Sequence, residues 1–276
     1  MIAKLTTFQN TGTVPEVIEF DQVEDLKTFI LTKPQFIVLG KGSNTLVAPK
    51  PNLPPILRIL PTILPPVRNG QLIRLNAGMS VQKTLSILKT EGLSGLEFSA
   101  GVPATLGGMT VMNFGCWGKS VSEFITQVRV LSSQGEDRWI PTAELGFGYR
   151  TSCFQKQSSI VLEIEFNLTP ENPDTIEAII KENIAKRLAH QPLRAKTFGS
   201  IFKNPPGKFA AQLIESCGFK GKAYSEHLKI SDEHANFLVN TGQASFEDAT
   251  RYMTIITKAV HDRYGITLEP EVRLLP

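Results

Sequence analysis

Five glycines fall within the eighteen residues from Gly101 to Gly118, interleaved with Val102, Leu106, Met109, Val111 and Phe114. Glycine at this density lets a backbone approach another surface closely, because no Cβ stands in the way. The apolar residues running through the stretch point to burial rather than to a solvated surface loop. A second glycine loop, Gly40-Lys41-Gly42-Ser43-Asn44, directly follows the apolar run Phe36-Ile37-Val38-Leu39. Successive N–H groups in such a loop can converge into an anion-binding nest, with Ser43 and Asn44 adding side-chain donors. Taken alone, that motif is equally compatible with a tight turn. No helix pattern opens after it, so it is neither a dinucleotide fingerprint nor a P-loop. Two buried glycine loops in one domain suit an elongated dinucleotide such as FAD.

Composition narrows the classes. The chain has 276 residues, 41% hydrophobic and 20% charged, with a formal net charge of +3. That charge is too small to argue for nucleic acid, although a few basic residues suffice to meet a phosphorylated ligand. Cys116, Cys153 and Cys217 show no C-x-x-C spacing and read as reduced thiols. His190, His227 and His261 show no partner spacing, His234 reads as a packing or loop-fixing histidine, and no metal site is expected. The opening MIAKLTTFQN lacks the apolar centre of a signal peptide. The most apolar stretch, Ile56 to Val67, is broken by Arg58, Pro61, Pro65 and Pro66, which excludes a membrane span. A cytoplasmic protein with no membrane partner is expected.

Periodicity places the motifs. Phe36 to Leu39 and Leu72 to Leu75 read as strands, Gln127 to Ile140 as a hairpin turning at Gln134-Gly135, and Ser159 to Leu168 as a half-buried strand. A helix begins at Ser80, aligns Val81, Leu85 and Leu88, and stops at Gly92. Asp174 to Leu188 places Ile176, Ile179, Ile180, Ile184 and Leu188 on one stripe, and Lys208 to Cys217 reads as a shorter helix closed by Gly218. Ser245 with Asp248 resembles a capping box for a helix ending at Gly265. Strands with occasional helices predict an α+β fold. The prolines from Pro49 to Pro66 read as a stiff surface connection, and the composition shift at Thr169 to Pro173 as a domain boundary.

Six segments in order then resemble the UDP-N-acetylenolpyruvoylglucosamine reductases (UDP-N-acetylmuramate dehydrogenases). They are G-K-G-S-N from Gly40, A-G-V-P-A-T-L-G-G from Ala100, N-F-G-C-W-G from Asn113, F-G-Y-R from Phe147, G-S-I-F-K-N-P from Gly199 and L-E-P-E-V-R from Leu268. The resemblance covers residue 30 to the C-terminus. It implies a flavin domain of the vanillyl-alcohol-oxidase type, in a region spanning 1–170 with an N-terminal lobe over 1–45 and a main lobe over 46–170. A smaller α+β substrate-binding domain over 171–265 and a tail over 266–276 returning to the active site would follow. The absence of a long insertion after Arg150 resembles the shorter type, which lacks a substrate-capping tyrosine loop.

The same resemblance implies FAD, bound without a covalent link, with NADPH as co-substrate. Gly40, Gly42, Ser43 and Asn44 would hold FAD from the first loop, and Val102, Pro103, Gly107 and Gly108 from the second. Met112, Asn113, Gly115, Cys116 and Gly118 would complete its site. Ser200 matches the family's proton donor, while Arg150 and Glu271 match its two other catalytic positions. Lys203 and Asn204 would meet the substrate's diphosphate or sugar, with Gln191 a further candidate. Glu269, two residues from Glu271, is the confounder for that role. The implied reaction is NADPH-dependent reduction of UDP-N-acetylglucosamine enolpyruvate to UDP-N-acetylmuramate, by a monomer acting on a small molecule in the bacterial cytoplasm. The alternatives are another FAD-dependent oxidoreductase of the superfamily, or a non-catalytic nucleotide-binding homologue. Lys41 and Ala104 stand where the family has glycine, and a positive φ at Ala104 would be costly. The N-terminus, Gln9-Asn10-Thr11-Gly12, departs from the family most.

Overall fold

Two helices of this chain end where their local chemistry says they should. In the computed structural model, which describes residues 1–33, 35–156 and 159–275, the helix Val81–Glu91 starts on Ser80, whose hydroxyl accepts from the Lys83 N–H. It stops at Gly92, which takes the left-handed conformation that a residue without Cβ adopts freely. The helix Phe246–Tyr264 starts on Ser245, whose hydroxyl accepts from the Asp248 N–H, and ends at the left-handed Gly265. It buries Ala249, Met253, Ile256 and Val260, and also Tyr252.

The chain divides into two compact units that are not consecutive in sequence. One comprises 16–40 and 54–186, the other 1–15, 41–53 and 187–276. The expected break near residue 170 therefore falls inside the first unit. The helix Pro173–His190 belongs to that unit through Lys186, because Ile176 is buried and Ile180 and Ile184 pack against its core. Asn183 completes the packing by donating to the Glu97 carbonyl at 3.0 Å. Leu188, expected on the same stripe, is exposed.

The first unit is built on a five-stranded antiparallel sheet ordered Asp137–Pro141, Ile125–Ser132, Ser159–Asn167, Leu72–Asn76, Val67–Asn69. The hairpin turns at Gly135, with φ +81°. A three-stranded parallel sheet has Ile56–Ile59 at its centre, between Val17–Phe20 and Ile37–Val38. This corrects the reading of the proline-rich segment as a surface connection. Ile56 and Leu57 are fully buried, and the prolines bracket a central strand rather than replacing it. The strand after Phe36 is shorter than its apolar run suggests, and Val38 is exposed.

The central strand Ser159–Asn167 is also more deeply buried than its alternation implies, on both faces. Glu163 and Glu165 occupy the positions read as solvent-facing. Arg129 Nη1 donates to Glu163 at 2.8 Å, and Arg74 Nε donates to Glu165 at 2.7 Å. Thr126 and Gln127 donate to the other Glu165 oxygen. Burial pushes the Glu165 carboxyl up, but the Arg74, Thr126 and Gln127 hydrogen bonds and the Arg74 charge outweigh it, so its pKa lies below the ordinary value. A carboxyl lowered on folding stabilises the native state above its unfolded pKa, about 4.3, and loses that contribution as pH falls through the folded value. The urea midpoint should therefore fall steeply below about pH 4 in the native protein. In Glu165→Gln the midpoint should start lower at neutral pH and fall less steeply on acidification.

The second unit packs the helices Ala210–Ser216 and Phe246–Tyr264 on a three-stranded antiparallel sheet, Ala223–Ser225, Leu228–Ile230 and Leu238–Asn240. The first helix is shorter than expected, starting at Ala210 rather than Lys208, and Gly218 follows it with φ +78°. The last strand, Arg273–Leu275, pairs in parallel with Thr45–Val47, the strand that immediately follows the first glycine loop. No helix among the described residues is long and apolar enough to cross a membrane.

Candidate active site

Within the first unit Gly40 and the second glycine loop are packed against the protein itself. A Cβ on Gly40 would come within 2.3 Å of Thr105 Oγ1, and one on Gly107 within 2.9 Å of Ala77 Cβ. Gly40 thus lies against the opening of the second loop. That loop contains a short helix, Leu106–Val111, unforeseen in the sequence, capped by Thr105 accepting from the Gly108 N–H. The Gly107 N–H donates to the Ala77 carbonyl at 2.8 Å. By contrast, a Cβ on Gly118 would meet nothing within 4 Å, and one on Gly108 only its own cap, the hydroxyl oxygen of Thr105. Ala104 does not take a positive φ, so its methyl carries no backbone penalty. Val102 and Pro103 precede it without regular structure, and the Val102 N–H donates to the Ser99 carbonyl.

The segment after that helix stores strain, with Asn113 at φ +40° and Trp117 at φ +52°, and so does the turn at Arg150, φ +57°. Left-handed backbone costs an L-residue roughly 1–2 kcal/mol. Asn113 is held there by both ends of its amide: Nδ2 donates to the Gly148 carbonyl and Oδ1 accepts from the Ser122 N–H. Trp117 and Gly118 form the two-residue turn of a hairpin between Gly115–Cys116 and Lys119–Ser120, and both have positive φ, as a type I′ turn requires. Asparagine suits that position better than tryptophan. Trp117→Asn should raise stability by about 0.5–1 kcal/mol, read as a higher thermal midpoint. Cys116 Sγ lies 3.1 Å from the Phe98 carbonyl, as a donor, and Met112 caps the short helix.

Arg150 occupies the tight turn closed by reciprocal Gly148–Thr151 hydrogen bonds. Its Nη2 donates to the Gly115 carbonyl at 2.7 Å, and its guanidinium lies over the Phe114 and Tyr149 rings. These contacts fix the cation beside the loop that carries Asn113, Gly115 and Cys116.

In the second unit a hydrogen-bonded frame joins Asn44, the loop that carries Ser200, and Glu271, and Gly199 lies against Ser43. The Glu271 N–H donates to the Ile201 carbonyl at 2.8 Å, placing the tail beside the residue after Ser200. Asn44 Nδ2 donates to the Glu271 carbonyl at 3.1 Å, and the Arg273 N–H donates back to the Asn44 carbonyl at 3.0 Å. A Cβ on Gly199 would lie 3.6 Å from the Ser43 carbonyl oxygen, and Gly199 takes φ +80°. Gly42, also left-handed, allows close approach to Leu5 and Thr6. Opposite the tail, the Ile201 N–H donates to the Asn236 carbonyl, and the Asn236 amide clamps both backbone groups of Phe202, at 3.0 and 2.8 Å.

The remaining candidates have partners of their own. Lys203 Nζ pairs with Glu269 at 2.5 Å, whereas Asn204 accepts from the first N–H of the helix Ala210–Ser216, and Gln191 accepts from Arg187. His234, expected to fix a loop, does so by accepting from the Asn236 N–H at 3.2 Å, and burial pushes its pKa down. A cavity of about 480 Å³ in this unit has Phe202, Met253, Leu268 and Pro270 in its wall, but Ser200, Lys203 and Glu271 do not line it. Asn236 escaped the sequence reading, although the polar residue between Ala235 and Phe237 in an otherwise apolar run was a signal. Among the described residues no group of three or more histidine, cysteine or carboxylate side chains is placed to hold a metal ion. The N-terminus is stapled despite its unusual sequence: Asn240 donates to the Phe8 and Gln9 carbonyls, and buried Asn10 donates to Val47.

Comparison with known proteins decides the family. A reductase from Halalkalibacterium halodurans named UDP-N-acetylenolpyruvoylglucosamine reductase is 34% identical over 99% of this chain and 92% of its own length. The chain belongs to the UDP-N-acetylenolpyruvoylglucosamine reductase family. A family member from Bacillus pumilus is 33% identical over the same shares, 99% and 92%. Residues 191–275 match the model of the UDP-N-acetylenolpyruvoylglucosamine reductase C-terminal domain. The crystal structure of the family's enzyme from Thermus caldophilus superposes with a TM-score of 0.86, at 30% identity, covering 100% of this chain and 97% of that one. The α+β fold is thus the reductase family's own fold.

Proposed function

We propose that the protein reduces the carbon–carbon double bond of UDP-N-acetylglucosamine enolpyruvate to give UDP-N-acetylmuramate, a step in bacterial peptidoglycan precursor synthesis. The near full-length identity to reductases of that name carries the reading. The residues that the chemistry needs stand in the matching motifs: Ser200, Arg150 and Glu271.

The residues present fit FAD. Gly108 and Gly118 leave backbone uncrowded, as a flat ligand requires, while Gly40 and Gly107 let the loops close on their own scaffold. Gly40, Gly42, Ser43, Val102, Pro103, Gly107, Gly108, Met112, Asn113, Gly115, Cys116 and Gly118 would hold it. The amide of Asn44 bonds the tail, so that residue would serve the cofactor through its backbone. Bound FAD would supply hydride transfer from NADPH to the enol ether.

The chain's own residues then manage charge and protons. Hydride arriving at C3 of the enolpyruvyl group leaves carbanion character at C2, delocalised into the carboxylate. Arg150, rigidly held by Gly115, pairs with that carboxylate and stabilises the developing charge through charge-assisted hydrogen bonds. The Ser200 hydroxyl delivers the proton to C2. Glu271 supports Ser200, since its backbone is hydrogen-bonded to the next residue of the same loop. Lys203 and Asn204 meet the diphosphate or sugar, and Gln191 lies at the start of the same substrate-binding region. We place the protein in the cytoplasm, as a monomer.

The test is NADPH consumption by the flavin-loaded protein, with and without the enolpyruvyl substrate and with UDP-N-acetylglucosamine as control. Substrate-dependent consumption matched mole for mole by product supports the reading. Consumption indifferent to the substrate overturns it.

A further inference from the structure

The tail carries two glutamates on either side of Pro270, and the frame separates them. Phe202 and Pro270 form an antiparallel bridge. The Lys203 N–H donates to the Glu269 carbonyl at 2.9 Å, and the Glu271 N–H to the Ile201 carbonyl at 2.8 Å. Glu269 is therefore the acid opposite Lys203, and Glu271 the acid opposite the Ser200 loop. The side chains follow suit: Lys203 Nζ lies 2.5 Å from Glu269 Oε1.

The two partners differ in freedom. The backbone beside Lys203 is anchored, because Phe202 is 1% exposed and both its backbone groups are clamped by Asn236. The Lys203 side chain is 23% exposed, the Glu269 side chain 69%. A tethered, half-buried ammonium thus faces a carboxylate that can swing into water. An exposed carboxylate–ammonium pair is worth little, because water and salt compete for both ions. A diphosphate brings more negative charge and more acceptor oxygens to the same ammonium.

We propose that Glu269 is a built-in competitor for the substrate's diphosphate: it occupies Lys203 in the free protein and must be displaced before the phosphate can bind there. The proposal rests on the reading of Lys203 as a diphosphate ligand. Glu269 thereby sets affinity rather than chemistry. It keeps Lys203 positioned but neutralised until a polyanion arrives, and it repels monovalent acids of similar shape.

The experiment titrates flavin-loaded protein with UDP by calorimetry, at low and at high ionic strength, for the native chain, Glu269→Gln, Lys203→Met and the double variant. Glu269→Gln is expected to bind UDP roughly two- to five-fold more tightly at low salt, with the gain shrinking at high salt as screening takes over. It is expected to vanish in the Lys203→Met background. Under steady-state turnover Glu269→Gln should lower KM and leave kcat nearly unchanged. A gain in affinity cannot come from a damaged fold. Unchanged or weaker UDP binding in Glu269→Gln, with Lys203→Met clearly weakened, would overturn the competitor role while leaving Lys203 as the phosphate ligand. UDP binding untouched by Lys203→Met would overturn the proposal at its base, by removing the assignment of Lys203 itself.

Discussion

Ser200→Ala should lower substrate-dependent turnover by about a thousand-fold, the middle of the range for loss of a positioned general acid. NADPH should still bleach the flavin at the native rate, because in the proposed reaction the hydroxyl serves only the other half. The expectation follows from the weakness of an alcohol as an acid. It can protonate carbon only if held against it, and the Ser200 loop is held from both sides, by Asn236 through Ile201 and Phe202 and by the tail through Glu271. The substitution removes one oxygen and leaves every one of those bonds in place. Rapid mixing with each reactant separately checks it. A variant slowed equally in both halves would show that Ser200 matters for the fold or the cofactor instead.

Asn236→Ala should be the most damaging change outside the residues assigned to chemistry. Asn236 is 3% exposed, and its amide satisfies the N–H and the carbonyl of Phe202, itself buried. Truncation leaves two buried backbone groups without partners, at about 1–3 kcal/mol each. A loss of about 3 kcal/mol in urea unfolding is expected. Asn236→Asp, which can still accept from the Phe202 N–H but cannot donate to its carbonyl, should fall between. Because the clamp sets the path of the Ser200 loop, turnover with the enolpyruvyl substrate should suffer more than bleaching by NADPH. Equal losses in both would leave Asn236 a purely structural residue.

Local chemistry was what the sequence made legible. Ser80 with Gly92 and Ser245 with Gly265 mark helices because a capping hydroxyl and a left-handed glycine act within a few residues of their own position. Gln134-Gly135 marks its hairpin for the same reason. What escaped depends on partners far along the chain. Glu163 and Glu165 look solvent-facing until Arg129 and Arg74 are brought across from neighbouring strands. The proline-rich segment hides a central strand because Val17–Phe20 and Ile37–Val38 flank it only in space. Residues 41–53 join the second unit, far from most of it in sequence, because Thr45–Val47 pairs with Arg273–Leu275. At the site, motif order pointed to Ser200 and Glu271. That their segments share hydrogen bonds, that Asn44 spends its amide on the tail, and that Glu269 takes Lys203 were visible only in three dimensions.

The most direct test of the central claim is anaerobic. The flavin-loaded protein is bleached with one equivalent of NADPH, freed of excess nucleotide, and mixed with UDP-N-acetylglucosamine enolpyruvate. The account predicts that the yellow absorbance returns within the turnover time, with one UDP-N-acetylmuramate formed per flavin. A flavin that stays bleached with the enolpyruvyl substrate, yet recovers its colour on admission of oxygen, would contradict it.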